Sequence, residues 1–316
     1  MKRFELHRHM DASLRPSTLL ELAIKHGLAS GSEGLAAFKS RFMLTKPLSG
    51  LLEVLSKFEL FQKVLDSPET LERIAREAVE DCAAEGIAGA ELRFSPSFTC
   101  GMNGLDWTEA LDAFERGLRA GLAAAPKNMR AGFICIASRE FGPDKVAETV
   151  EFFMRHRSRF IGLDLAGDEE AWPCRVFERT FKPARDAGAN ITIHSGEASG
   201  PANIWEAIEC LGARRIGHGI NCVRDPKLMR HLADHRICLE ICPTSNWITQ
   251  SVPTLAAHPL PAILRAGIPV CINTDDPGIF DNTLDHEISV CREHMGMTDA
   301  EITECFRHAE EHTMLL

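Results

Sequence analysis

The sequence predicts an α/β protein in which eight parallel strands close into a (β/α)8 barrel. Two observations support this prediction. Eight short, nearly continuous apolar runs recur along the 316 residues, and each ends in polar or charged residues. Such runs are typical of strands that are buried on both faces. Helical patterns separate the runs, and this alternation favours a parallel sheet closed as a TIM barrel. An open doubly wound sheet is the alternative.

The predicted strands share one form, an apolar core followed by a polar end. In a strand, residues two apart point to the same face, so His7 and His9 of the first run are expected to aim together. The eight runs are FELHRHMD (4–11), GAELRFSP (89–96), RAGFICIAS (130–138), FIGLDLAGDE (160–169), NITIHSGEA (190–198), RRIGHGI (214–220), RICLEICPTSN (236–246) and IPVCINTDDP (268–277).

The helical segments carry their own start and stop signals. SPETLERIAREAVEDCAAEG has Ser67 as a candidate N-cap, Pro68 at the first helical position and Gly86 as a stop. About 75 residues separate the first strand from the second, too many for one helix. We therefore expect residues 30–66 to form extra helices that cover the active site at the barrel mouth. The whole chain, 1–316, is expected to be one metal-dependent barrel domain.

Composition excludes several classes of protein. A net charge of −10 argues against a general binder of nucleic-acid backbones. No run of 18 apolar residues predicts a membrane span, and Lys2 and Arg3 are not followed by the apolar stretch of a secretory signal. The 11 cysteines are scattered and odd in number, which favours reduced, mostly buried thiols in a cytoplasmic protein. A small-molecule substrate is the expected partner, and the sequence gives no oligomeric state.

Candidate functional residues concentrate at the ends of the predicted strands. In such barrels the active site lies at the C-terminal ends of the strands, so residues far apart in sequence are expected to meet there. The polar residues at these ends are His7, His9 and Asp11 (first strand), Gly167 and Asp168 (fourth), His194 and Glu197 (fifth), His218 (sixth), and Asp275 and Asp276 (eighth).

Three neutral imidazoles and a carboxylate suit zinc or a similar divalent ion with one position left open for water. Such an ion can lower the pKa of a bound water from about 16 to about 7. Glu197, three residues past a candidate ligand, could carry protons. Simpler interpretations exist for single residues: His194 as a hydrogen-bonded core histidine, His218 as part of a tight turn, and Asp276 as a helix N-cap. Their joint placement at strand ends favours a site.

Several segments together make the chain resemble the adenosine deaminase family of metal-dependent aminohydrolases, which belongs to the amidohydrolase superfamily and includes adenosine, adenine and aminodeoxyfutalosine deaminases. The resemblance runs from residue 4 to about residue 313. It departs from the common family pattern at Ala12, Ser195 and Gln250, which adjoin strand ends but are neither predicted ligands nor proton carriers. The segments are ELHRHMDASLRPSTL, GLDLAGDE, HSGEA, RIGHGI, CPTSN and NTDDP.

The resemblance implies one zinc ion per chain and a set of catalytic roles. Glu197 would protonate the purine ring nitrogen beside the carbon under attack, and His218 and Asp275 would hold and deprotonate the attacking water. The implied zinc ligands are His7, His9, His194 and Asp275.

The resemblance also implies contacts to a bound nucleoside. Asp276 would hydrogen-bond the imidazole half of the base, and the Gly167 backbone would contact the far edge of the six-membered ring. Asp11, with His9, would contact the ribose 5′-hydroxyl. Within LLEVLSKFELFQKVL (51–65), Phe58 and Phe61 are candidate walls of the base pocket, with ordinary helix packing as the alternative.

The expected reaction is hydrolytic deamination of adenosine or 2′-deoxyadenosine to the inosine product and ammonia. The alternatives are the same chemistry on a 5′-extended adenine nucleoside such as 6-aminodeoxyfutalosine or on another amino-heterocycle, and, further away, a cyclic-amide amidohydrolase or a non-catalytic nucleoside-binding protein. Asp11 disfavours a 5′-phosphate through like-charge repulsion.

Two further motifs are expected to be surface features. Arg8, Arg15 and Arg93 could pair with a carboxylate on an extended substrate, but solvated surface positions are the expectation for all three. HAEEH (308–312) has the spacing of a zinc-protease motif and is expected to be an exposed helix end.

Overall fold

The computed structural model describes residues 2–315, except for the side chains of residues 51, 52 and 56 within the predicted cover. Eight strands form two four-stranded parallel sheets, β1–β4 and β5–β8, each paired in sequence order. The strands are β1 (Arg3–His9), β2 (Ile87–Phe94), β3 (Arg130–Ser138), β4 (Gly162–Ala166), β5 (Thr192–Ser195), β6 (Arg215–His218), β7 (Cys238–Ile241) and β8 (Val270–Ile272).

Single parallel bridges join the two sheets at both seams. Leu163 pairs with Ile191 between β4 and β5, and Arg8 pairs with Asp275 between β1 and the residues after β8. At this second seam the His9 N–H donates to the Asp275 carbonyl over 2.8 Å, and the Asp275 N–H donates to the His7 carbonyl over 3.0 Å. The predicted barrel is therefore confirmed over the open doubly wound sheet.

Helices follow the strands and surround them. Short 3-10 turns lie at 10–12, 139–141, 157–159, 174–177, 220–224 and 255–257. The α-helices of the described residues are α1 (Pro16–Lys25), α2 (Leu35–Phe42), α3 (Leu51–Lys57), α4 (Glu59–Val64), α5 (Pro68–Ala84), α6 (Pro96–Gly101), α7 (Trp107–Ala124), α8 (Gly142–Arg155), α9 (Glu178–Asp186), α10 (Pro201–Glu209), α11 (Pro226–Asp234), α12 (Pro243–Ile248), α13 (Leu260–Arg265), α14 (Pro277–Phe280), α15 (Leu284–Glu293) and α16 (Asp299–His312).

The start of α5 follows the sequence signals. Ser67 is the N-cap, its hydroxyl accepts the Thr70 N–H over 3.3 Å, and Pro68 occupies the first helical position. Gly86 follows the helix with a φ of +71°, a left-handed conformation that favours glycine. Here a local signal determines a local structure, and the prediction is confirmed.

Residues 30–66, the predicted cover, contain the helices α2, α3 and α4. The Leu44 N–H donates to the Ile279 carbonyl over 2.8 Å, and the Leu48 N–H donates to the Ile248 carbonyl over 3.1 Å. These bonds attach the segment to α14 and α12, which follow β8 and β7 at the C-terminal ends of the strands. Its function as a cover and the single-domain organisation of residues 1–316 remain predictions.

The HAEEH segment differs from its prediction as an exposed helix end. It forms the last turn of α16, where His308 and Ala309 are buried. The His308 Nδ1 accepts the Val270 N–H over 3.2 Å, so this histidine is bonded to the first residue of β8. The prediction is wrong because one face of α16 packs on β8 and β1. The exposed Glu311 lies on the opposite, solvated face of the helix.

All eleven cysteines are buried and free, as the composition predicted. Within residues 2–315, no helix combines the length and the apolar character that crossing a membrane would require.

Helices α5 and α7 pack so closely that a glycine is required between them. A Cβ at Gly117 would lie 2.1 Å from the Glu72 carbonyl oxygen and 2.7 Å from the Ala75 Cβ. We expect Gly117→Ala to destabilise the protein by about 1–3 kcal/mol, because the added methyl must push two backbones apart. Gly101→Ala is the control, since a Cβ there meets nothing within 4 Å. Equal unfolding midpoints for the two variants in urea would contradict this account.

Candidate active site

Four of the predicted residues converge at the C-terminal ends of the strands. His7 Nε2 and His9 Nε2 each lie 3.2 Å from Asp275 Oδ1, and His9 Nε2 lies 3.3 Å from His194 Nε2. His7 Nε2 is buried and has no hydrogen-bond partner among the described residues. The barrel closure thus brings residues of β1, β5 and the segment just after β8 into one cluster, as predicted.

The spacing of these atoms fits a metal ion. A tetrahedral zinc with ligand bonds of about 2.0–2.1 Å separates its ligand atoms by roughly 3.3–3.4 Å. The three measured separations fall within about 0.2 Å of that edge. His218 also lies within reach of this group, but its Nε2 is 3.8 Å from Asp275 Oδ2. The donor atoms of His7, His194, His218 and Asp275 lie within 4.8 Å of one another, and those of His9, Asp275 and Asp276 form a second group. The set His7, His9, His194 and Asp275 remains a prediction, which the three separations above support.

Buried carboxylates orient two of the imidazoles. Glu240 Oε2 lies 2.8 Å from His7 Nδ1, and Asp164 Oδ2 lies 2.9 Å from His194 Nδ1. An imidazole that donates its Nδ1–H to a carboxylate presents a free Nε2 lone pair, the tautomer that a metal ligand needs. Burial, only partly offset by Asp164, lowers the pKa of His194 to about 3, so its ring is neutral.

Arg93 forms ion pairs with both of these carboxylates. Its Nη1 donates to Asp164 and its Nη2 to Glu240, each over 2.8 Å, and the side chains of all three residues are fully buried. Its Nη2 also donates to the Leu6 carbonyl over 2.5 Å. One guanidinium therefore fixes the partners of His7 and His194 together.

The charged network continues toward the opposite end of the barrel. Arg215 Nε donates to Glu240 Oε1 over 2.7 Å, and Arg215 Nη2 donates to Glu91 Oε2 over 2.5 Å. Glu91 in turn accepts the Thr313 hydroxyl over 2.7 Å and the Met314 N–H over 2.5 Å. The barrel interior is thus crossed by ion pairs rather than filled by apolar side chains alone.

Two of the three arginine predictions are wrong. Arg93 is fully buried, Arg8 is buried beside Glu85 with an N–O distance of 3.2 Å, and only Arg15 is partly exposed, where it pairs with Asp81 and Glu80. Arginine is normally solvated, and the sequence does not show that acidic residues on other strands neutralise these two. None of the three lines the cavity described below.

Glu197 stands beside the metal-ligand cluster. Its Oε1 accepts the Thr249 hydroxyl over 2.9 Å, and its Oε2 lies 3.6 Å from His218 Nε2. Burial and the negative charge of Asp275 raise the pKa of Glu197 to about 8. Its carboxyl is therefore protonated near neutral pH and can donate. Glu169 fixes this turn by accepting the Gly196 and Glu197 N–H groups over 2.7 and 3.0 Å.

His218 has a left-handed φ of +60°, which is uncommon for a non-glycine residue. Its Nδ1 lies 3.0 Å from Asn246 Nδ2, and Asn246 Oδ1 lies 3.2 Å from His258 Nε2. In this series of hydrogen bonds the Asn246 side-chain N–H donates to His218 Nδ1. The ring proton of His218 is therefore assigned to Nε2, which faces Glu197 and Asp275. Burial lowers the pKa of His218, which keeps the ring neutral. The turn therefore directs a side chain into the site.

Asp276 does not cap the helix that follows it. Its side chain makes no capping bond to α14, and its Oδ1 is buried without a hydrogen-bond partner among the described residues. Burial and the neighbouring charge of Asp275 raise its pKa well above the usual range. A protonated Asp276 can donate a hydrogen bond to an acceptor in the cavity.

A cavity of about 720 Å³, open mouth included, begins at these residues. Asp11 and Gly167 line it, whereas Asp168 lies outside and caps its own turn by accepting the Glu170 and Ala171 N–H groups. The apolar part of the wall consists of Val54, Leu55, Phe58, Phe98, Ile136, Ala166 and Phe280.

The two predicted aromatic walls have different positions. Phe58 lines the cavity, but Phe61 is fully buried, and its ring centroid lies 6.3 Å from that of Phe58. Phe61 packs behind Phe58 instead of facing the cavity, so its prediction as a pocket wall is wrong. Phe61 is only three residues from Phe58, but this spacing directs its side chain away from the cavity.

Sequence reasoning missed several residues that shape this site. Asp164 and Glu240 are charges inside otherwise apolar strands, and that contrast was an available signal. Asn246 and Thr249 stand in the CPTSN segment and just after it, but their bonds to His218 and Glu197 depend on the fold. Glu140, which lines the cavity after β3, had no sequence signal.

A parallel barrel with a His/Asp cluster, an adjacent protonated glutamate and a cavity at its C-terminal ends defines an amidohydrolase-type enzyme. The adenosine deaminase family model matches residues 3–315, and the chain belongs to that family. The resemblance found in the sequence is confirmed, and the chain is a hydrolase with deaminating activity of the adenosine deaminase type.

Three similar proteins illustrate the range of this fold. The adenosine deaminase of Shewanella denitrificans is 38% identical over 307 residues, which cover 97% of this chain and 92% of that protein. The adenine deaminase of Arthrobacter aurescens is 25% identical with a TM-score of 0.89, covering 98% and 93% of the two chains. The N6-methyl-AMP deaminase of Arabidopsis thaliana is 28% identical with a TM-score of 0.82, covering 99% and 92%.

Proposed function

We propose that this enzyme is a zinc-dependent deaminase of 6-aminopurine nucleosides that converts adenosine or 2′-deoxyadenosine to inosine or 2′-deoxyinosine and ammonia. The observation that carries the proposal is the position of the Glu197 carboxyl group, which lines a partly apolar cavity together with the His/Asp cluster, 3.6 Å from His218 Nε2. A proton donor there serves a ring nitrogen that must gain a proton as its neighbouring carbon is attacked. A protein that only bound nucleosides would gain little from a proton carrier at this position.

His7, His9, His194 and Asp275 would hold one zinc ion. A bound zinc supplies Lewis acidity that makes water a nucleophile at neutral pH. Cation-binding donors are preorganised here, because Glu240 and Asp164 fix two of the rings before any ion arrives.

The remaining steps use the side chains of this chain. His218 and Asp275 hold the water, and Asp275 Oδ2, the oxygen on the side of His218, takes its proton. The oxygen adds to the ring carbon that bears the amine while Glu197 protonates the adjacent ring nitrogen. Asp275 then returns its proton to the amine, the carbon–nitrogen bond breaks, and ammonia leaves. The remaining hydroxyl proton passes to Glu197 as the keto group forms, which restores both carboxyl groups to their starting states. Each proton transfer of this kind contributes roughly 10²–10⁴-fold to a rate.

The other cavity residues position the nucleoside. Asp276 donates to a nitrogen of the imidazole half, the Gly167 backbone contacts the far edge of the six-membered ring, and Phe58 covers a face of the base. Asp11, with His9, receives the ribose 5′-hydroxyl. The carboxylate of Asp11 is held by the Ser95 N–H over 3.2 Å and the Thr99 hydroxyl over 3.3 Å, which leaves it fixed at the cavity wall.

The proposal is tested by following loss of the 6-aminopurine absorbance with the zinc-loaded protein. We expect turnover of adenosine and 2′-deoxyadenosine, with adenine and AMP poorer by at least about tenfold because of the lost sugar contact and the repulsion from Asp11. Chelation should abolish the activity, and one equivalent of zinc should restore it. Turnover only of a 5′-substituted adenosine would move the enzyme to an extended nucleoside. No turnover of any compound, with one zinc bound, would overturn the substrate proposal.

A further inference from the structure

His258 is a buried histidine that has no part in the proposed reaction and does not line the cavity. It lies just before α13, and its two ring nitrogens both have partners. Nδ1 lies 3.1 Å from the Leu260 backbone nitrogen, and Nε2 lies 3.2 Å from Asn246 Oδ1. Because the Asn246 amide also contacts His218 and Glu197, a series of hydrogen bonds connects this remote histidine to two groups of the reaction.

The direction of the first hydrogen bond in this series is fixed by the backbone. A backbone N–H can only donate, so the Leu260 N–H donates and His258 Nδ1 accepts. Burial, with a smaller contribution from His218, lowers the pKa of His258 to about 3, so the ring is neutral. A neutral imidazole carries one proton, and with Nδ1 accepting, that proton must be on Nε2. His258 therefore presents an N–H to Asn246.

This N–H determines which end of the buried Asn246 amide faces His258. Only the amide oxygen can accept the N–H, so Oδ1 faces His258 and the NH2 group faces the other way. The two hydrogens of the NH2 group then have two acceptors. Nδ2 lies 3.0 Å from His218 Nδ1 and 3.4 Å from Glu197 Oε1. An amide rotated by 180° would instead place its NH2 group against the N–H of His258.

The orientation of the amide sets the proton positions of both catalytic groups. His218 Nδ1 accepts, so the ring proton is on Nε2, 3.8 Å from Asp275 Oδ2. Glu197 Oε1 accepts from Asn246 and also from the Thr249 hydroxyl over 2.9 Å, so the carboxyl proton belongs on Oε2. This Oε2 lies 3.6 Å from His218 Nε2. Two donors at that separation do not pair with each other, which leaves both available to water and substrate.

We propose that His258 is a positioning residue that fixes the Asn246 amide and, through it, the tautomer of His218 and the protonated oxygen of Glu197. His258 itself touches neither the cavity nor the reacting atoms. The expected effect on rate rests on the proposed function. The proton positions do not depend on the identity of the substrate, so they can be tested separately.

The kinetic test compares two substitutions of His258 in the zinc-loaded enzyme. His258→Leu removes the N–H, so the amide of Asn246 can rotate and present its oxygen to His218. We expect kcat with adenosine to fall by at least about tenfold, with KM within about threefold of native, because a catalytic imidazole in the wrong tautomer loses up to about 10⁴-fold in kcat. His258→Gln keeps a side-chain N–H that can donate to Oδ1, and it should restore kcat to within about threefold of native.

His308→Leu is the matched control. His308 is also buried, and its Nδ1 also accepts a backbone N–H, that of Val270 over 3.2 Å. Its Nε2, however, lies 3.2 Å from Glu304, and Val270 begins β8 at the end away from Asp275. This variant should lose stability, as His258→Leu does, but keep native kcat. Equal losses of kcat in the two leucine variants would make the effect one of folding and overturn the inference.

The direct test is the ¹⁵N spectrum of the His218 ring, assigned by its loss in His218→Gln, because protonated and unprotonated ring nitrogens resonate apart. The native enzyme and His258→Gln should carry the proton on Nε2, and His258→Leu should move it to Nδ1 in part or in full. A native ring with its proton on Nδ1 would overturn the inference even if the leucine variant did not fold. An unchanged tautomer in a folded His258→Leu would overturn it as well. If the native protein turns over no adenosine, the proposed function fails, and the ring spectrum alone decides the inference.

Discussion

Glu197→Gln is expected to lower kcat by about 10²–10⁴-fold while leaving zinc content and the unfolding temperature unchanged. The amide keeps the size of the side chain and can still pair with Thr249, but it cannot release a proton to a ring nitrogen. Because Glu197 is not one of the four predicted ligands, the metal donor set stays complete. KM should change far less than kcat, since the lost interaction develops mainly in the transition state.

The control for this variant is Glu209→Gln, which removes one exposed carboxylate from α10. It should retain native kcat and KM. A Glu197→Gln enzyme with kcat within threefold of native would show that another group supplies the proton. Loss of zinc from this variant would instead make Glu197 a positioning residue for the ligand cluster.

Arg93→Gln should cost roughly 3–5 kcal/mol of stability, because it leaves Asp164 and Glu240 as buried charges without their shared cation. The second effect is on metal binding. Freed carboxylates no longer hold His194 and His7 in one orientation, and loss of such support weakens metal affinity by about 10- to 100-fold. Zinc affinity by competition with a chelating dye, measured below the unfolding midpoint, separates the two effects.

The comparison variant is Arg41→Gln, which breaks an ion pair with Glu33 in which the arginine side chain is 52% exposed. Exposed pairs contribute about 0–1 kcal/mol, so this variant should be near native in stability and zinc affinity. If Arg93→Gln also binds zinc with native affinity, the network serves folding alone and does not position the ligands.

The sequence predicted the barrel and the residues that meet at its mouth because both depend on short-range patterns. Apolar runs with polar ends mark strands, and barrel closure brings strand ends such as His7 and Asp275 together wherever they lie in the chain. Once the barrel topology was inferred, it therefore predicted that the His/Asp residues at the strand ends would lie close together.

The sequence did not predict which side chains face each other across neighbouring strands, and the wrong predictions follow from this. Arg93 was expected at the surface because an isolated arginine usually is, and its two acidic partners lie on β4 and β7. Phe61 was misplaced because the direction of a short helix is set by its packing, not by its sequence. Glu140 was missed because only the fold brings the turn after β3 to the cavity wall.

The seam at Arg8–Asp275 has a consequence for how the enzyme matures. Two candidate ligands belong to the first strand, and a third follows the last strand, so a growing chain on the ribosome lacks a complete ion-binding set until nearly all of it has emerged. Contacts of such long sequence separation form late in folding. An ion held by His7, His9 and Asp275 would link β1 to the residues after β8. Its binding energy would oppose separation of the first strand from the last. Catalytic competence and barrel closure would then be acquired in the same event.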